Sequence, residues 1–323
     1  MSIWRSLGLA AGMLLTSGYV HAAPADSGPI RIIVTGPAGG TVDTIARVFA
    51  GSMPSVIPNA VPVVENLPGG SGVVAIRELL KSPKNGSTLL IGTNAFASEA
   101  PHIIKMSVDP LKALTPVTDL ARSGLVFVAG NSVPVSTFQE ALSYARQNRG
   151  KTQYASFGLG TQSHILGVEL NRIAGLDMVH VAYKGSPPAL TDIMGGHVQF
   201  MFDGPATSLP FVKSNRLKAL ATTAPQRLSS LPSVPTVAEL GYPKLTQVVW
   251  IGLWIASGTS PDVSAQLRKS AMAIVQSPAF RKKIAEIGME PPLGVPMEEL
   301  AAQLSESSRR HAQKLKEIGY VPD

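Results

Sequence analysis

The most informative stretch of this sequence is IRIIVTGPAGGTVDTIARVF, residues 30–49. It opens on branched apolar residues of the kind found in a buried parallel strand, and a glycine-rich turn at residues 36–40 follows. Thr41 is a suitable N-cap, and apolar residues then recur at helical spacing with Asp43 and Arg47 on the opposite face. The pattern predicts a strand, a turn and a helix whose amino end can bind an anion. An ordinary strand-to-helix connection explains this stretch, taken alone, equally well.

The start of the sequence has the pattern of a secretory signal. Arg5 precedes an apolar segment at residues 7–20, and small residues allow cleavage after Ala22 or Ala23. The sequence contains no cysteine, which excludes a lipid anchor, a disulfide and a thiolate metal site. Its six histidines are scattered, so we expect neither a metal nor another cofactor. We therefore expect residues 1–22 to be removed and the protein to be periplasmic.

The charge of the sequence does not favour a nucleic-acid partner. The formal net charge is +7, and it becomes +6 when residues 1–22 are removed, because they contain Arg5 and no acid. The longest basic run is Arg281-Lys282-Lys283, and no aromatic residue interleaves with it. A dispersed positive charge instead favours small anions. The length of 323 residues predicts two domains, because it exceeds what one hydrophobic core usually serves.

Strands and helices are predicted to alternate in two successive sets, with a glycine-rich turn after most strands. Ligands bind at the carboxyl ends of parallel strands, so the two sets of turns are expected to face one cleft. The predicted strands are residues 30–34, 61–65, 89–91, 152–155, 178–183, 198–202, 217–222 and 248–256. The predicted helices are residues 41–53, 73–81, 137–147, 162–173, 187–194, 261–276, 279–287 and 297–318.

The repeated pattern predicts two lobes. Residues 24–124 together with 250–323 form the first, and residues 125–249 form the second. The chain is expected to cross between them on hinge strands near residues 117–128 and 248–256, because the first of these segments holds two apolar runs with no helix between them.

An ordered set of motifs carries a resemblance to a known family. In order they are Pro37-Ala38-Gly39-Gly40 with Asp43, Asn66-x-Pro68-Gly69-x-x-Gly72, Tyr154-Ala155-Ser156 with Gly158, Gly160-Thr161 and His164, Tyr183-Lys184-Gly185, Gly195-Gly196, Pro232-x-Val234-Pro235-Thr236 and Gly258-Thr259. Together they resemble the extracytoplasmic solute-binding receptors of the tripartite tricarboxylate transporter system, the Bug family.

The resemblance implies an α/β fold, that of a two-lobed periplasmic binding protein of the type II, Venus-flytrap class, with a mostly parallel sheet flanked by helices in each lobe. It implies a receptor rather than an enzyme, which captures a small organic carboxylate and delivers it to a permease with one large and one small integral-membrane subunit. We expect a monomer. The expected ligand-binding residues follow the first strand of each lobe and end two later strands: Gly36, Pro37, Ala38, Gly39, Gly40, Thr41, Asp43, Thr93, Asn94, Ser156, Phe157, Gly158, Gly160, Thr161, Gln162, His164 and Asp203.

The sequence departs from the family pattern at two positions. The family commonly has proline and an aromatic residue before its first glycine turn, whereas this chain has Thr35-Gly36, which leaves the identity of the acid open. The family's glutamate four residues after the histidine is Val168 here, with Glu169 one position later. A shift of one residue turns a helical side chain by about 100°, so the role of that glutamate is not transferred.

Other functions are compatible with some of the same residues. Ser156, His164 and Asp203 could form the triad of an exported esterase, although Ser156 lacks a Gly-x-Ser-x-Gly elbow. The turn at Gly158 and Gly160 is similar to a dinucleotide-binding loop but lacks its third glycine. A receptor that senses the acid would have the same sequence features as one that serves transport.

Overall fold

Two five-stranded sheets, each flanked by helices, build an α/β molecule with two lobes. This arrangement, seen in a computed structural model that describes residues 29–317, confirms the predicted fold class. The predicted signal segment, residues 1–22, lies outside the described residues. Within the part of the chain that the structure describes, no helix combines the length and the apolar character needed to cross a bilayer.

The strands and helices of residues 29–317 alternate as expected. The strands are β1 (Pro29–Val34), β2 (Val61–Asn66), β3 (Thr88–Thr93), β4 (Leu114–Ser123), β5 (Val126–Gly130), β6 (Gln153–Ser156), β7 (Val179–Ala182), β8 (Phe200–Asp203), β9 (Leu217–Thr222) and β10 (Val249–Ala256). The α-helices are α1 (Thr41–Ser52), α2 (Val73–Lys81), α3 (Ala95–Ser98), α4 (Pro110–Ala113), α5 (Phe138–Gln147), α6 (Gln162–Ala174), α7 (Ser186–Met194), α8 (Pro205–Lys213), α9 (Pro261–Gln276), α10 (Pro278–Glu286) and α11 (Met297–Glu317).

The two sheets have matching topologies. The sheet of the first lobe has the order β2-β1-β3-β10-β4, and that of the second has the order β7-β6-β8-β5-β9. In each sheet the first three strands are parallel, and the fourth position holds a strand that is antiparallel to both neighbours, β10 or β5. The carboxyl ends of β1, β2 and β3 and of β6, β7 and β8 therefore each gather at one edge of their sheet.

The unit formed by β1 and α1 shows why the local sequence folds in this way. Ile32, Ile33 and Val34 are fully buried, as expected for a strand covered on both faces. Ile45 and Phe49 pack into the same core one helical turn apart. The N-cap is Gly40 rather than the predicted Thr41. Thr41 is the first residue of α1, and its hydroxyl contacts Thr207 of the second lobe instead of capping the helix.

The chain passes from one sheet to the other at two places. Strand β4 of the first sheet ends at Ser123, and β5 of the second begins at Val126. Gly124 lies between them against Ala224, where a Cβ atom would overlap the backbone, so a glycine is required. On the return, Gln247 donates its N–H to the carbonyl of Thr223 at 2.8 Å just before β10 begins.

Helix α8 is the main element that the sequence patterns did not predict. It contains Pro210, which ordinarily breaks a helix because it lacks an N–H and crowds the preceding turn. Its start follows the usual rule, since Pro205 occupies one of the first two helical positions. Tertiary packing has overridden local propensity here, because Thr207 and Leu209 of this helix are buried.

Candidate functional site

A cavity of about 670 Å³ lies between the two sheets at the carboxyl ends of their parallel strands. Six turns reach it, those that follow β1, β2 and β3 in the first lobe and β6, β7 and β8 in the second. Further lining residues come from the end of β4, the crossing that follows it, β10 and the segment after α10, and include Ser123, Leu125, Val249, Ile251 and Met289. The cavity thus occupies the place that the sheet topology predicts for a ligand.

The turn after β1 is held by a carboxylate that lies behind it. Gly39 donates its N–H to Asp43 Oδ2 at 2.9 Å, and Asn66 Nδ2 donates to Asp43 Oδ1 at 3.0 Å. Arg47, whose side chain is partly exposed, donates from its Nε to Asp43 Oδ2 at 3.0 Å. Asp43 is only 2% exposed, although its sequence position suggested the outer face of the helix. Its position as the third residue of α1 directs the side chain back to the turn, so it shapes the site from outside the cavity.

These contacts keep Asp43 ionised. Burial by itself would raise the pKa of its carboxyl, but the hydrogen bonds from Arg47, Gly39 and Asn66 together lower that pKa below its usual range. A carboxylate that accepts several hydrogen bonds fixes the backbone of the turn, which exposes Gly40 and Thr41 to the cavity.

The turn after β6 is built on glycines. Gly160 has a φ of +70°, a left-handed conformation that favours glycine. Its N–H donates to His164 Nδ1 at 3.3 Å, and Thr161 Oγ1 donates to the carbonyl of Gly158 at 2.6 Å. This turn therefore presents Gly158, Gly160 and Thr161 at the cavity and keeps His164 behind them.

Two histidines and a serine form a buried cluster under that turn. The rings of His164 and His180 stack with their centroids 4.1 Å apart, and Ser156 Oγ lies 2.7 Å from His180 Nε2. Burial lowers the pKa of His164, and burial together with the charge of His164 lowers the pKa of His180 to about 4. Both imidazoles are therefore neutral at pH 7.

The geometry does not assemble the triad considered from the sequence. Ser156 pairs with His180, whereas the carboxylate of Asp203 accepts hydrogen bonds from Ser186 Oγ at 2.5 Å and Thr207 Oγ1 at 2.6 Å. Ser156 is fully buried and is absent from the lining of the cavity. Burial raises the pKa of Asp203 to about 6 against the opposing effect of its hydrogen bonds.

The lobes touch each other around the cavity. Thr41 Oγ1 in α1 lies 3.2 Å from Thr207 Oγ1 in α8, and Ser71 Oγ donates to the carbonyl of Leu159 at 2.5 Å. Gln162 of the second lobe donates to Glu99 of the first at 2.8 Å. The structure is therefore a closed arrangement in which residues of both lobes bound one space.

The expected site residues fall into two groups. Those that line the cavity are Gly36, Pro37, Gly40, Thr41, Thr93, Phe157, Gly158, Gly160 and Thr161. Those that do not are Ala38, Gly39, Asp43, Asn94, Ser156, Gln162, His164 and Asp203. Most of the second group brace the turns; Asn94, for example, accepts the N–H of Trp250 with its Oδ1 at 3.1 Å.

The expected site did not include the turns after β7 and β8, apart from Asp203 at the end of β8. Lys184, Gly185 and Ser186 line the cavity from one of them, and Gly204 and Pro205 from the other. A signal was available for the first, because Tyr183-Lys184-Gly185 is one of the family motifs. No sequence pattern predicted helix α8, so nothing indicated that a helix begins at the cavity with residues 204–205.

The lining suits an anion. Helices α1, α6, α7 and α8 begin at the cavity, and the start of each carries a partial positive charge. The first turns of α1 and α6 also carry N–H groups without intrahelical acceptors, whereas Pro187 and Pro188 in α7 and Pro205 in α8 have no N–H to donate. Among the described residues that line the cavity, Lys184 is the one charged side chain, and none is an aspartate or a glutamate. No group of side chains within residues 29–317 has the composition of a metal site.

Comparison with known proteins agrees with this geometry. A family model described as the tripartite tricarboxylate transporter family receptor matches residues 45–320. The protein BugT of Bordetella pertussis is 29% identical over 328 residues, which cover 99% of each chain.

Two solved structures carry acids. An R. palustris protein with adipate superimposes with a TM-score of 0.87 at 28% identity, covering 91% of this chain and 98% of the other. MatC from Rhodopseudomonas palustris with bound malate has a TM-score of 0.82 at 25% identity, covering 88% of this chain and 98% of the other.

The match to the family model extends over most of the sequence, as the ordered motifs had indicated. The chain therefore belongs to the receptor family of the tripartite tricarboxylate transporters, and it is a solute-binding receptor.

Proposed function

We propose that this receptor captures a small organic carboxylate between its lobes in the periplasm and delivers it to the large and small membrane subunits of a tripartite tricarboxylate transporter. The observation that carries the proposal is the convergence of four helix starts on a cavity whose described lining residues include no aspartate or glutamate. Adipate and malate, the molecules bound in the two related structures, are both carboxylates, which supports the same ligand class here.

Main-chain groups can supply enough binding energy without an arginine clamp. A charge-assisted hydrogen bond contributes about 1.5–3 kcal/mol, and a partly buried helix start adds up to about 2 kcal/mol. Four or five such bonds therefore reach roughly the 8 kcal/mol of a micromolar complex before the costs of association are subtracted. Lys184, the one charged side chain among the described lining residues, adds to this attraction.

Capture requires the lobes to open. We propose that the lobes are residues 24–124 with 250–323 and residues 125–249, with the hinge strands near residues 117–128 and 248–256, close to the two crossings at Gly124 and Gln247. Opening would break the Thr41–Thr207 contact and the hydrogen bond from Ser71 to Leu159. Of these residues, Thr41, Ser71 and Leu159 line the cavity. Closure around a ligand restores both contacts, and we expect a monomer to suffice for this movement.

We further propose that the site performs no chemistry. The serine considered as a nucleophile, Ser156, is fully buried behind the turn and has its Oγ engaged by His180 and the carbonyl of Gly158. A substrate carbonyl in the cavity would have no path to it without rearrangement of the turn after β6.

A thermal-unfolding screen of the mature protein tests the proposal. The panel contains mono-, di- and tricarboxylic acids, the neutral amides of the same acids as matched controls, and separate sets of amines and neutral sugars. An acid present at 100 times its Kd should stabilise the fold by about 2.7 kcal/mol, its amide should not, and the acid should be recovered unchanged. Stabilisation by amines or sugars but by no acid would contradict the proposed ligand class.

A further inference from the structure

A buried carboxylate lies behind the cavity and is connected to it by hydroxyl groups. Asp203, at the end of β8, is fully buried and does not line the cavity. Its Oδ1 accepts from Ser186 Oγ at 2.5 Å, and its Oδ2 accepts from Thr207 Oγ1 at 2.6 Å. Ser186 lines the cavity, and Thr207 Oγ1 lies 3.2 Å from Oγ1 of Thr41, which lines it too. Asp203 therefore reaches the cavity by two hydroxyl routes, one through Ser186 and one through Thr207 and Thr41.

The hydroxyl of Ser186 matters as a donor because prolines occupy the helix starts around it. Pro187 and Pro188 follow it in α7, and Pro205 begins α8, so these three positions have no N–H. Among the first three residues of α7, Ser186 alone has an N–H. An anion at this helix start therefore depends on the Ser186 hydroxyl for a further hydrogen bond.

An ionised Asp203 uses the hydrogens of both hydroxyls that contact it. A carboxylate only accepts hydrogen bonds, and a hydroxyl has one hydrogen to donate. The hydrogen of Ser186 is then committed to Asp203 and is lost to the cavity. Thr207 also donates to Asp203, so in the contact between the two threonines Thr41 has to donate to Thr207. Both lining hydroxyls are then acceptors only, and an anion placed against them would be repelled.

A proton on Asp203 reverses this pattern. The carboxyl can then donate from Oδ1 to Ser186 Oγ, which frees the hydrogen of Ser186 for a ligand. It can instead donate from Oδ2 to Thr207 Oγ1, so that Thr207 donates to Thr41 and the hydrogen of Thr41 becomes free. Either route uses the one added proton and breaks no covalent bond except O–H bonds that form again along the chain of hydroxyls or simply rotate. An anion in the cavity gains a donor and no longer lies beside a buried negative charge.

Burial and hydrogen bonds, rather than neighbouring charges, control the protonation of Asp203. Burial raises its pKa to about 6, and the hydrogen bonds from Ser186, Thr207 and the N–H of Gly204 oppose that rise. The titratable groups on the elements around it are not among the causes of this shift; they are Asp43 and Arg47 on α1, Tyr154 on β6, His164, Glu169 and Arg172 on α6, His180 on β7, Tyr183 and Lys184 before α7, Asp192 on α7, Lys213 on α8 and Lys218 on β9. Asp203 can therefore gain a proton near neutral pH without titration of another group.

We infer, building on the proposed function, that the receptor takes up a proton on Asp203 as it binds an organic anion, so that the hydroxyls of Ser186 and Thr41 can donate to that anion. Anion and proton are thus bound together. Asp203 is a positioning residue, because it directs the hydroxyl hydrogens without touching the ligand. The state with bound anion holds the proton more tightly than the empty state, so the affinity for the anion falls as the pH rises above about 6.

Calorimetric titration of the whole mature protein tests the inference. The probes are malate, adipate and the acid that stabilises the protein most in the thermal-unfolding screen. At pH 7.5 the heats of binding in HEPES and in Tris, which have different heats of ionisation, should show uptake of about half a proton per bound anion. The Kd should rise about 10-fold between pH 6.5 and pH 8, where carboxylic acids stay ionised. Binding without proton uptake would overturn the inference and leave the receptor function intact, whereas failure of every acid to bind would contradict the proposed function.

Asp203→Asn identifies the group that gains the proton. Its amide has a hydrogen to donate at every pH, so at pH 8 the variant should bind the same acid about 10-fold more tightly than the natural protein, with less than about a twofold change in Kd down to pH 6.5. The matched control is Asp192→Asn, which neutralises another carboxylate of the second lobe with a hydroxyl partner, Tyr183 at 2.6 Å, and it should keep the proton uptake. Proton uptake that persists in Asp203→Asn would overturn the assignment.

Ser186→Ala tests the hydroxyl route. It should weaken binding about 5-fold at pH 6.5 but less than about twofold at pH 8, because this hydroxyl donates to the anion only when Asp203 is protonated. The matched control is Ser208→Ala, which removes a buried hydroxyl of α8 that donates to the carbonyl of Gly204 at 3.0 Å, and it should leave the Kd within about twofold at both pH values. Thermal unfolding without ligand checks that each variant folds. Equal weakening by Ser186→Ala at the two pH values would overturn the route.

Discussion

The first turn of each lobe is braced by the same local device with different chemistry. In the first lobe the N–H of Gly39 is accepted by Asp43, and in the second the N–H of Gly160 is accepted by His164. Each acceptor is the third residue of the helix that follows, and each lies four residues after its glycine. One is an ionised carboxylate and the other a neutral imidazole.

The difference shows that the position of an acceptor matters more than its charge for presenting such a turn. The charge of the acceptor side chain determines which interactions keep that acceptor in place. The carboxylate of Asp43 depends on donors, among them Arg47 and Asn66. The imidazole of His164 depends on being kept neutral, which burial against His180 ensures. Different substitutions and pH changes should therefore destabilise the first turn of each lobe.

Removal of the charged brace should have the largest effect. Asp43→Ala leaves the N–H of Gly39 and the amide of Asn66 without their acceptor in a buried site. Each unsatisfied buried donor costs about 1–3 kcal/mol, so the free energy of unfolding should fall by about 3–4 kcal/mol. Urea denaturation at pH 7 measures this loss.

The matched control for that change is Arg47→Ala. Its side chain is 55% exposed, so loss of its ion pair with Asp43 should lower the free energy of unfolding by less than about 1 kcal/mol. Equal losses in the two variants would show that the ion pair, rather than the buried hydrogen bonds to the turn, holds the first lobe's site together.

The molecule contains a second buried carboxylate, and it differs from Asp43 in its partners. Asp43 accepts a hydrogen bond from a cation, Arg47, whereas the donors to Asp203 are hydroxyls. The pKa of Asp203 is raised from 3.8 to about 6, so the folded state binds a proton more tightly than the unfolded chain does. The stability this confers is present below about pH 4 and is lost as the pH rises through about 6. At pH 7.5, Asp203→Asn should raise the free energy of unfolding by on the order of 3 kcal/mol relative to the natural protein.

The same variant contains its own control. The gain from Asp203→Asn should shrink to about 0.5 kcal/mol at pH 4, where the natural carboxyl is protonated in the folded state and about 40% protonated in the unfolded chain. Paired urea denaturation curves at pH 7.5 and pH 4 give the difference. A gain of equal size at both pH values would mean that burial does not set the protonation of Asp203.

Most of the fold followed from periodicity and turn residues, because these are local properties. The run at Ile32 to Val34 and the spacing of Ile45 and Phe49 depend on neighbours in the sequence, and the structure confirms the strand and helix they predict. Helix α8 could not be predicted in this way, because Pro210 opposes it locally and its support comes from tertiary packing.

The braces of the site were harder to infer than its turns. A helical wheel placed Asp43 on the outer face of α1, since such a wheel takes no account of a side chain that folds back to the residues before the helix. Nothing in the sequence pairs Ser156 with His180, which lie on adjacent parallel strands. The spacing of glycine and acceptor four residues apart is a signal that could have found both braces.

The neutral brace of the second lobe should respond to acid, with the smallest of the three effects. Because the pKa of His180 falls to about 4 in the folded state from 6.5, the unfolded chain binds the proton more tightly. Its contribution to stability is therefore present above about pH 6.5 and is lost as the pH falls through about 4, opposite in sign to that of Asp203.

The control variant is His180→Gln, which keeps a polar partner for Ser156 but does not titrate. Relative to it, the free energy of unfolding of the natural protein should fall by about 1–2 kcal/mol between pH 7 and pH 4, after allowance for partial solvent screening. Measuring both proteins in the Asp203→Asn background separates the two titrations, and a difference that stays constant with pH would show that the stacked imidazoles are not what keeps this turn in place.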